Sequence, residues 1–215
     1  MYILTVIVML SLIMLLIFTN KNIISGNFES NKKEENIKTP EISIEYIHVI
    51  NNTKEYSNKE KFPFTSISKF PSGNIITTDS ISIFIYDNNF NIVQKISVFE
   101  LEKGSIYRIL SIDVKDDDNF VIGCNEQSIK IYKKEKEKGN IFMLKQDIKK
   151  AHDRSVTKVI YNSSGNIISC SYDKTIKIWE LDNEGNFINK KIITNEDEVR
   201  SLLLLEDKNL LVSSG

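Results

Sequence analysis

The sequence predicts an all-β chain preceded by one membrane-spanning helix, and two observations lead to this prediction. Residues 2–19 form a continuous apolar run without a charge, a proline or a glycine. From residue 41 onward, short runs of β-branched and aromatic residues are separated by Gly, Asn, Asp and Ser. No long segment there has the 3.6-residue periodicity of an amphipathic helix, so strands joined by tight turns are expected.

The apolar run has the length of a membrane anchor. As a helix rising ~1.5 Å per residue it reaches about 27 Å, close to the ~30 Å hydrocarbon core of a bilayer. A cleaved signal peptide is the alternative, but the run lacks a basic flank before it and a small-x-small cleavage site after it. We therefore expect a transmembrane helix over 1–20, a flexible polar stalk over 21–40, and an N-terminal strand and linker over 41–61.

The flanking charges give an expected orientation. Lysines lie only downstream of the apolar run, and the positive-inside rule then places the C-terminal part of the chain in the cytoplasm. The predicted localisation is a single-pass membrane protein that contacts the membrane through residues 2–19.

Composition argues against several classes of function. The 28 Lys and Arg are balanced by 29 Asp and Glu, so no basic face for nucleic acid is expected.

Cys124 and Cys170 each lie in a predicted strand, where free cysteines behave as small buried apolar residues. The sequence lacks metal-binding motifs, phosphate loops and nucleophile elbows. We interpret Asp116-Asp117-Asp118 as a solvated acidic loop. No cofactor, metal, small-molecule substrate or catalytic residue is predicted.

A repeat of about 45 residues runs through the β part. A turn followed by a strand recurs around Asn residues spaced by 45, 47 and 43 positions, and a strand ending in an aromatic residue recurs at spacings of 46 and 47. Four antiparallel strands in each such repeat are typical of propeller blades. The predicted blades are 62–104, 105–150, 151–195 and an incomplete 196–215, about three and a half in all. The residues that set these two registers are Asn74, Asn119, Asn166 and Asn209, and Tyr86, Tyr132 and Trp179.

The third repeat is the most regular. Its predicted strands are 156–161, 166–171, 175–181 and 187–193, joined by short turns that contain Gly, Asn and Asp. The incomplete last repeat ends after two strands. This favours a fragment or truncation, with a ring completed by another chain as the alternative.

Residues 151–181 closely resemble the WD-repeat pattern. Ala151-His152 stands at the Gly-His position of that pattern, and Trp179-Glu180 stands at its Trp-Asp position. The resemblance implies a hydrogen-bonded network inside one blade. Tyrosine replaces the tryptophan in the other repeats, so the full network is implied for the third blade alone. Its members are His152, Ser169 or Ser171, Asp173 and Trp179.

The resemblance implies a partial WD-repeat β-propeller that holds protein or peptide partners with its loops and is not an enzyme. The loop residues that it places on the interaction face are Tyr172, Arg154 and Asn125, the last being the equivalent of Tyr172 in the second blade. The function predicted from the sequence is a membrane-anchored, non-catalytic interaction scaffold. Two alternatives stay open: a truncated remnant of a longer WD-repeat protein that has lost an effector or enzyme domain, and an exported propeller behind a signal peptide.

Overall fold

A computed structural model describes residues 64–99 and 107–215 of the chain. The predicted transmembrane helix, the stalk, and the N-terminal strand and linker lie outside these residues. The blade boundaries given above stay a prediction.

The described part of the chain is all β. Three four-stranded antiparallel sheets follow one another along the chain, each with its strands in sequence order, and a two-stranded sheet follows them. The first sheet consists of β1 (Ser66–Lys69), β2 (Ile75–Thr78), β3 (Ser82–Tyr86) and β4 (Ile92–Ser97). The second consists of β5 (Ile109–Asp116), β6 (Asn119–Cys124), β7 (Ile129–Glu135) and β8 (Ile141–Ile148). The third consists of β9 (Val156–Tyr161), β10 (Ile167–Ser171), β11 (Thr175–Leu181) and β12 (Phe187–Thr194), and the fourth of β13 (Ser201–Leu205) and β14 (Leu210–Ser214).

The predicted localisation as a single-pass membrane protein is wrong, because a structural finding contradicts it. Across residues 64–99 and 107–215, no helix is long and apolar enough to cross a membrane. The apolar run at residues 2–19, on which the prediction rested, is not among the residues that the structure describes.

Local turn chemistry explains why each sheet is a simple meander. In the third sheet, β9 and β10 are joined by a turn in which Gly165 has a φ of +81°, a left-handed conformation that costs glycine little. The turn between β10 and β11 places Lys174 at a φ of +68°. The carboxylate of Asp173 accepts hydrogen bonds from the backbone N–H and the hydroxyl of Thr175, which holds that turn closed.

The apolar core lies between neighbouring sheets. One sheet cannot bury its own apolar face, so each sheet packs against the next. The first strands of successive sheets are neighbours, because β1 contacts β5, β5 contacts β9, and β9 contacts β13. Burying one large apolar side chain contributes roughly 1.5–3 kcal/mol, and each interface contains several. Examples are Ile83, Phe120 and Tyr132 between the first and second sheets, Val121, Val159 and Trp179 between the second and third, and Ile168, Cys170 and Leu202 between the third and fourth.

Two glutamines join the fourth strands of neighbouring sheets, each by the same pair of hydrogen bonds. The side-chain amide of Gln94, in β4, donates to the carbonyl of Phe142 at 2.9 Å and accepts from its N–H at 2.8 Å. Gln146, in β8, makes the same pair of bonds with the backbone of Phe187 at 3.0 and 2.8 Å. Each amide therefore satisfies one donor and one acceptor of the next sheet.

Serine hydroxyls connect the first strands of neighbouring sheets. The hydroxyl of Ser66, in β1, accepts a bond from the N–H of Ile112 in β5 at 3.2 Å. Ser111, in β5, accepts one from Val159 in β9 at the same distance. The first strands of neighbouring sheets are thus joined by serines and the fourth strands by glutamines, which fixes the relative position of neighbouring sheets.

Replacing Gln146 by alanine is expected to lower the free energy of unfolding by about 1–2 kcal/mol, because the N–H and carbonyl of Phe187 lose their partners. Urea unfolding of the purified 215-residue chain measures this change. Lys145→Ala, at an exposed position of the same strand, is the matched control and should stay within about 0.5 kcal/mol of the wild type. Equal effects of the two substitutions would contradict a role for the glutamine pair.

Candidate functional site

A buried hydrogen-bonded chain crosses the third sheet. The indole N–H of Trp179 donates to the hydroxyl of Ser169 at 2.8 Å. That hydroxyl lies 2.7 Å from Nε2 of His152, and Nδ1 of the same imidazole lies 2.8 Å from Oδ2 of Asp173. The side chains of Ser169 and His152 have no exposed surface, and Trp179 is only 5% exposed. The four polar groups therefore satisfy one another away from water.

The directions of these bonds follow from the donors and acceptors. A carboxylate only accepts, so Nδ1 of His152 carries the imidazole proton and donates it to Asp173. Nε2 then accepts from the hydroxyl of Ser169, which in turn accepts from the indole N–H of Trp179. Every donor in this chain faces an acceptor, and the histidine is neutral.

The environment shifts the pKa values of both ionisable members. Burial lowers the pKa of His152 below its usual 6.5, and the charge and hydrogen bond of Asp173 only partly oppose this effect. Burial alone would raise the pKa of Asp173. The hydrogen bonds from Thr175, the backbone of Asp153 and His152 outweigh it and hold that pKa at about 2. A neutral histidine and an ionised aspartate are thus the stable pair at neutral pH.

Ser171 is the alternative to Ser169 in the network that the WD-repeat resemblance implies. It makes different hydrogen bonds. Its hydroxyl donates to the carbonyl of Arg154 at 3.2 Å and accepts from the N–H of Asp173 at 3.0 Å. It therefore ties the segment before β9 to the turn after β10, whereas Ser169 bridges His152 and Trp179. The side chain of Ser171 is also completely buried.

The corresponding turn of the second sheet is held by other groups. Ser128 donates to the carboxylate of Glu126 at 2.8 Å, much as Thr175 donates to Asp173. A buried lysine, Lys130, makes ion pairs with Glu126 at 3.0 Å and with Asp147 at 2.9 Å. In the second sheet an ion-pair cluster thus takes the place of the hydrogen-bonded chain, although Oδ1 of Asp147 is buried without a hydrogen-bond partner. Tyr132 stands at the position of Trp179.

The predicted partner-binding residues Tyr172 and Arg154 lie together on the surface. The guanidinium of Arg154 lies 5.7 Å from the centre of the Tyr172 ring, and that of Arg200 lies 5.2 Å from it. Arg154 also donates to the carbonyl of Tyr172 at 3.1 Å. Glu198 bridges the two arginines, since one carboxylate oxygen contacts Arg154 and the other lies 3.5 Å from Arg200. The arginine side chains remain 57% and 60% exposed.

Asn125, the third predicted residue, lies in the equivalent turn of the second sheet. Its side-chain oxygen accepts from the N–H of Arg108 at 2.6 Å, and its carbonyl accepts from the hydroxyl of Ser155 at 3.2 Å. Asn125 therefore connects the segments that precede β5 and β9. Its side chain is half-buried and holds backbone in place.

Glu198 and Arg200 are not among the site residues predicted from the sequence. Both precede β13 and complete the environment of Tyr172, but they are distant from it in sequence. One available signal was the position of the arginines, because Arg200 follows Arg154 by 46 residues, close to the repeat length.

The acidic turn after β5 bonds both within itself and to the first sheet. Asp116 accepts from the N–H of Asp118 and from the side chain of Asn119, and Asp117 accepts from the N–H of Ser72. Among the residues that the structure describes, no three His, Cys, Asp or Glu side chains are grouped so that they could hold a metal ion. Cys124 and Cys170 are free and buried, and burial raises their thiol pKa values to about 12 and about 11.

Comparison with known proteins places the buried network inside a recognised repeat. Residues 145–180 match the family model of the WD domain, G-beta repeat. This range contains all four residues of the hydrogen-bonded chain. No curated protein sequence is similar enough to count as a match.

Solved structures share the fold. The structure of U3-55K matches with a TM-score of 0.52 and 16% identity over 67% of this chain and 43% of that one. The crystal structure of the RRP9 WD40 repeats matches with a TM-score of 0.53 and 15% identity over 67% and 43%. A chain of the mitotic checkpoint complex matches with a TM-score of 0.59 and 16% identity over 74% and 48%. The present chain spans less than half of each. The repeat match and the shared fold support the WD-repeat family.

Replacing Trp179 by alanine is expected to lower the free energy of unfolding by about 3–5 kcal/mol, as is usual for deleting a large buried aromatic side chain. The indole fills space between the second and third sheets, and Ser169 loses its donor as well. Chemical denaturation measures the loss. Leu181→Ala, in the same strand but at a residue 50% exposed, is the control. A cost for Trp179→Ala no larger than that of the control would contradict this structural role.

The stability of the chain is expected to fall below pH 6.5 because of His152. Its folded pKa lies below the unfolded value of 6.5, so the unfolded chain takes up a proton first. The stabilisation is complete above pH 6.5 and is lost as the pH falls toward the folded pKa, at up to ~1.4 kcal/mol per pH unit. Urea midpoints between pH 5 and 8 for the wild type and His152→Gln test this. The difference between the two should narrow toward pH 5, and a constant difference would contradict the assignment.

Proposed function

We propose that the chain is a WD-repeat interaction module that holds protein or peptide partners on the surface formed by Arg154, Tyr172, Glu198 and Arg200. We call this surface the Tyr172 face. The module carries out no chemistry of its own and acts as a scaffold.

The buried network supports a non-catalytic role. His152 would be the natural general base of the third sheet, but both of its ring nitrogens are bonded within the sheet and its surface is fully buried. A general base needs access to the proton that it removes. The network is better suited to fixing the turn that carries Tyr172, because Asp173 is the next residue in the chain.

The composition of the Tyr172 face is the observation that supports partner binding. Tyrosine and arginine are enriched among the residues that contribute most to protein interfaces. Here the ring of a half-buried tyrosine lies 5.7 and 5.2 Å from the guanidinium groups of two arginines, which are more than half exposed. The ring is held in one place before any partner arrives, which lowers the entropic cost of binding.

Site-specific crosslinking in cells of the source organism tests the proposal. A photoreactive phenylalanine derivative replaces Tyr172 in one variant and Lys190 in the other. Lys190 is an exposed residue of β12, away from the Tyr172 face in the third sheet. A discrete crosslinked protein is expected from position 172 and none from position 190. Equal labelling from both positions, or no adduct from position 172, would contradict the proposed binding surface.

A further inference from the structure

The arginines of this chain have an unusual distribution. The sequence contains 28 Lys and Arg, but only three are arginine: Arg108, Arg154 and Arg200. They are separated by intervals of 46 and 46 residues. Lysine is therefore the ordinary cation of the chain, and arginine occurs only at positions that follow the structural repeat.

The fold brings these arginines to equivalent places. Arg108 immediately precedes β5, Arg154 lies two residues before β9, and Arg200 immediately precedes β13. These are the first strands of three successive sheets, and β9 contacts both β5 and β13. The three arginines consequently form a row along one end of neighbouring strands, and all three residues are exposed.

Two of the predicted partner-binding residues connect this row. Asn125 bonds to the backbone of Arg108 and to the hydroxyl of Ser155, the neighbour of Arg154. Tyr172 contacts the guanidinium groups of both Arg154 and Arg200. The row therefore runs from Arg108 past Asn125 to Arg154, and past Tyr172 to Arg200.

The charges along the row are incompletely paired. A single carboxylate, Glu198, serves both Arg154 and Arg200. Within residues 64–99 and 107–215, no carboxylate makes an ion pair with Arg108. One carboxylate thus serves two of the three guanidinium groups. Each guanidinium presents donors in a planar fork that suits a carboxylate or a phosphate.

We propose that the arginine row binds a peptide segment with spaced anionic side chains, either acidic residues or phosphorylated serine or threonine. This inference rests on the proposed function and specifies the chemistry of the partner. Carboxylate and phosphate offer the same paired oxygen acceptors to arginine. Nucleic acid fits less well, because its phosphates form a continuous series of charges, whereas Asp153, Asp197 and Glu198 neighbour the arginines in the sequence and the chain has a net charge of −1.

Peptide selection against the 215-residue chain tests this inference. Immobilised wild-type chain is incubated with a random decapeptide library. Asp, Glu and phosphoserine are among the residues allowed at every varied position, together with neutral ones. Bound peptides are sequenced, and their affinities are measured by fluorescence anisotropy. Enrichment of Asp, Glu or phosphoserine at spaced positions is expected, and comparing the residue types separates acidic from phosphorylated partners.

Arginine variants assign the enrichment to the row. The triple variant Arg108→Lys, Arg154→Lys and Arg200→Lys keeps the net charge but removes the paired donors, and it should bind the selected peptides about tenfold more weakly or worse. The matched control carries Lys133→Gln, Lys145→Gln and Lys190→Gln, three exposed lysines elsewhere. This control changes the net charge and should bind within about twofold of the wild type. A larger loss in the control than in the arginine variant would overturn the proposal.

The remaining outcomes separate this inference from the proposed function. Selected peptides that are neutral, but whose binding is lost in Tyr172→Ala, would sustain the interaction module and overturn the anionic partner. No selected peptide at all would contradict both. A single-stranded 20-nucleotide DNA that binds more tightly than the selected peptides would overturn the inference in favour of nucleic acid.

Discussion

The carboxylate of Asp173 is the group on which both the interior and the surface of the third sheet depend. Its two oxygens accept from the backbone and hydroxyl of Thr175, the imidazole of His152 and the N–H of Asp153. Through His152 and Ser169 it is linked to Trp179 between the second and third sheets. Through Asp153 it holds the segment before β9. One buried charge thus couples sheet packing to loop position.

This coupling explains why the Tyr172 face is an ordered surface. Tyr172 precedes Asp173 in the chain, and Arg154 follows Asp153, so both candidate residues are adjacent to groups that the carboxylate holds. The hydroxyl of Ser171 ties the same two segments from the other side. A low folded pKa keeps Asp173 ionised over the whole physiological range. The carboxylate therefore stays ionised, and its protonation does not change the surface geometry in that pH range.

The local parts of this arrangement could be predicted from the sequence, and the long-range parts could not. The third-sheet strands lie within one residue of their predicted bounds, because alternation and turn residues are local signals. The choice between Ser169 and Ser171 could not be predicted locally, because residues two positions apart in a strand project from the same side of β10. The register decides it: Trp179 pairs with Ile167, which places the indole nearer Ser169. Glu198 and the Gln146 pair come from other sheets, and no local pattern encodes them.

The presence of arginine at positions 154 and 200 of the row has a geometric explanation within the structure itself. Arg154 and Arg200 each lie against the same aromatic ring and reach the same carboxylate, which requires a planar, extended cation. A lysine ammonium at either position offers a single point charge and cannot make both contacts in the same way. Glu198, a residue of the same chain, holds the two guanidinium groups in place without any partner. Because each guanidinium has five N–H donors, a carboxylate or phosphate from a partner can bind the donors that Glu198 and the carbonyl of Tyr172 leave available, at little cost in reorganisation.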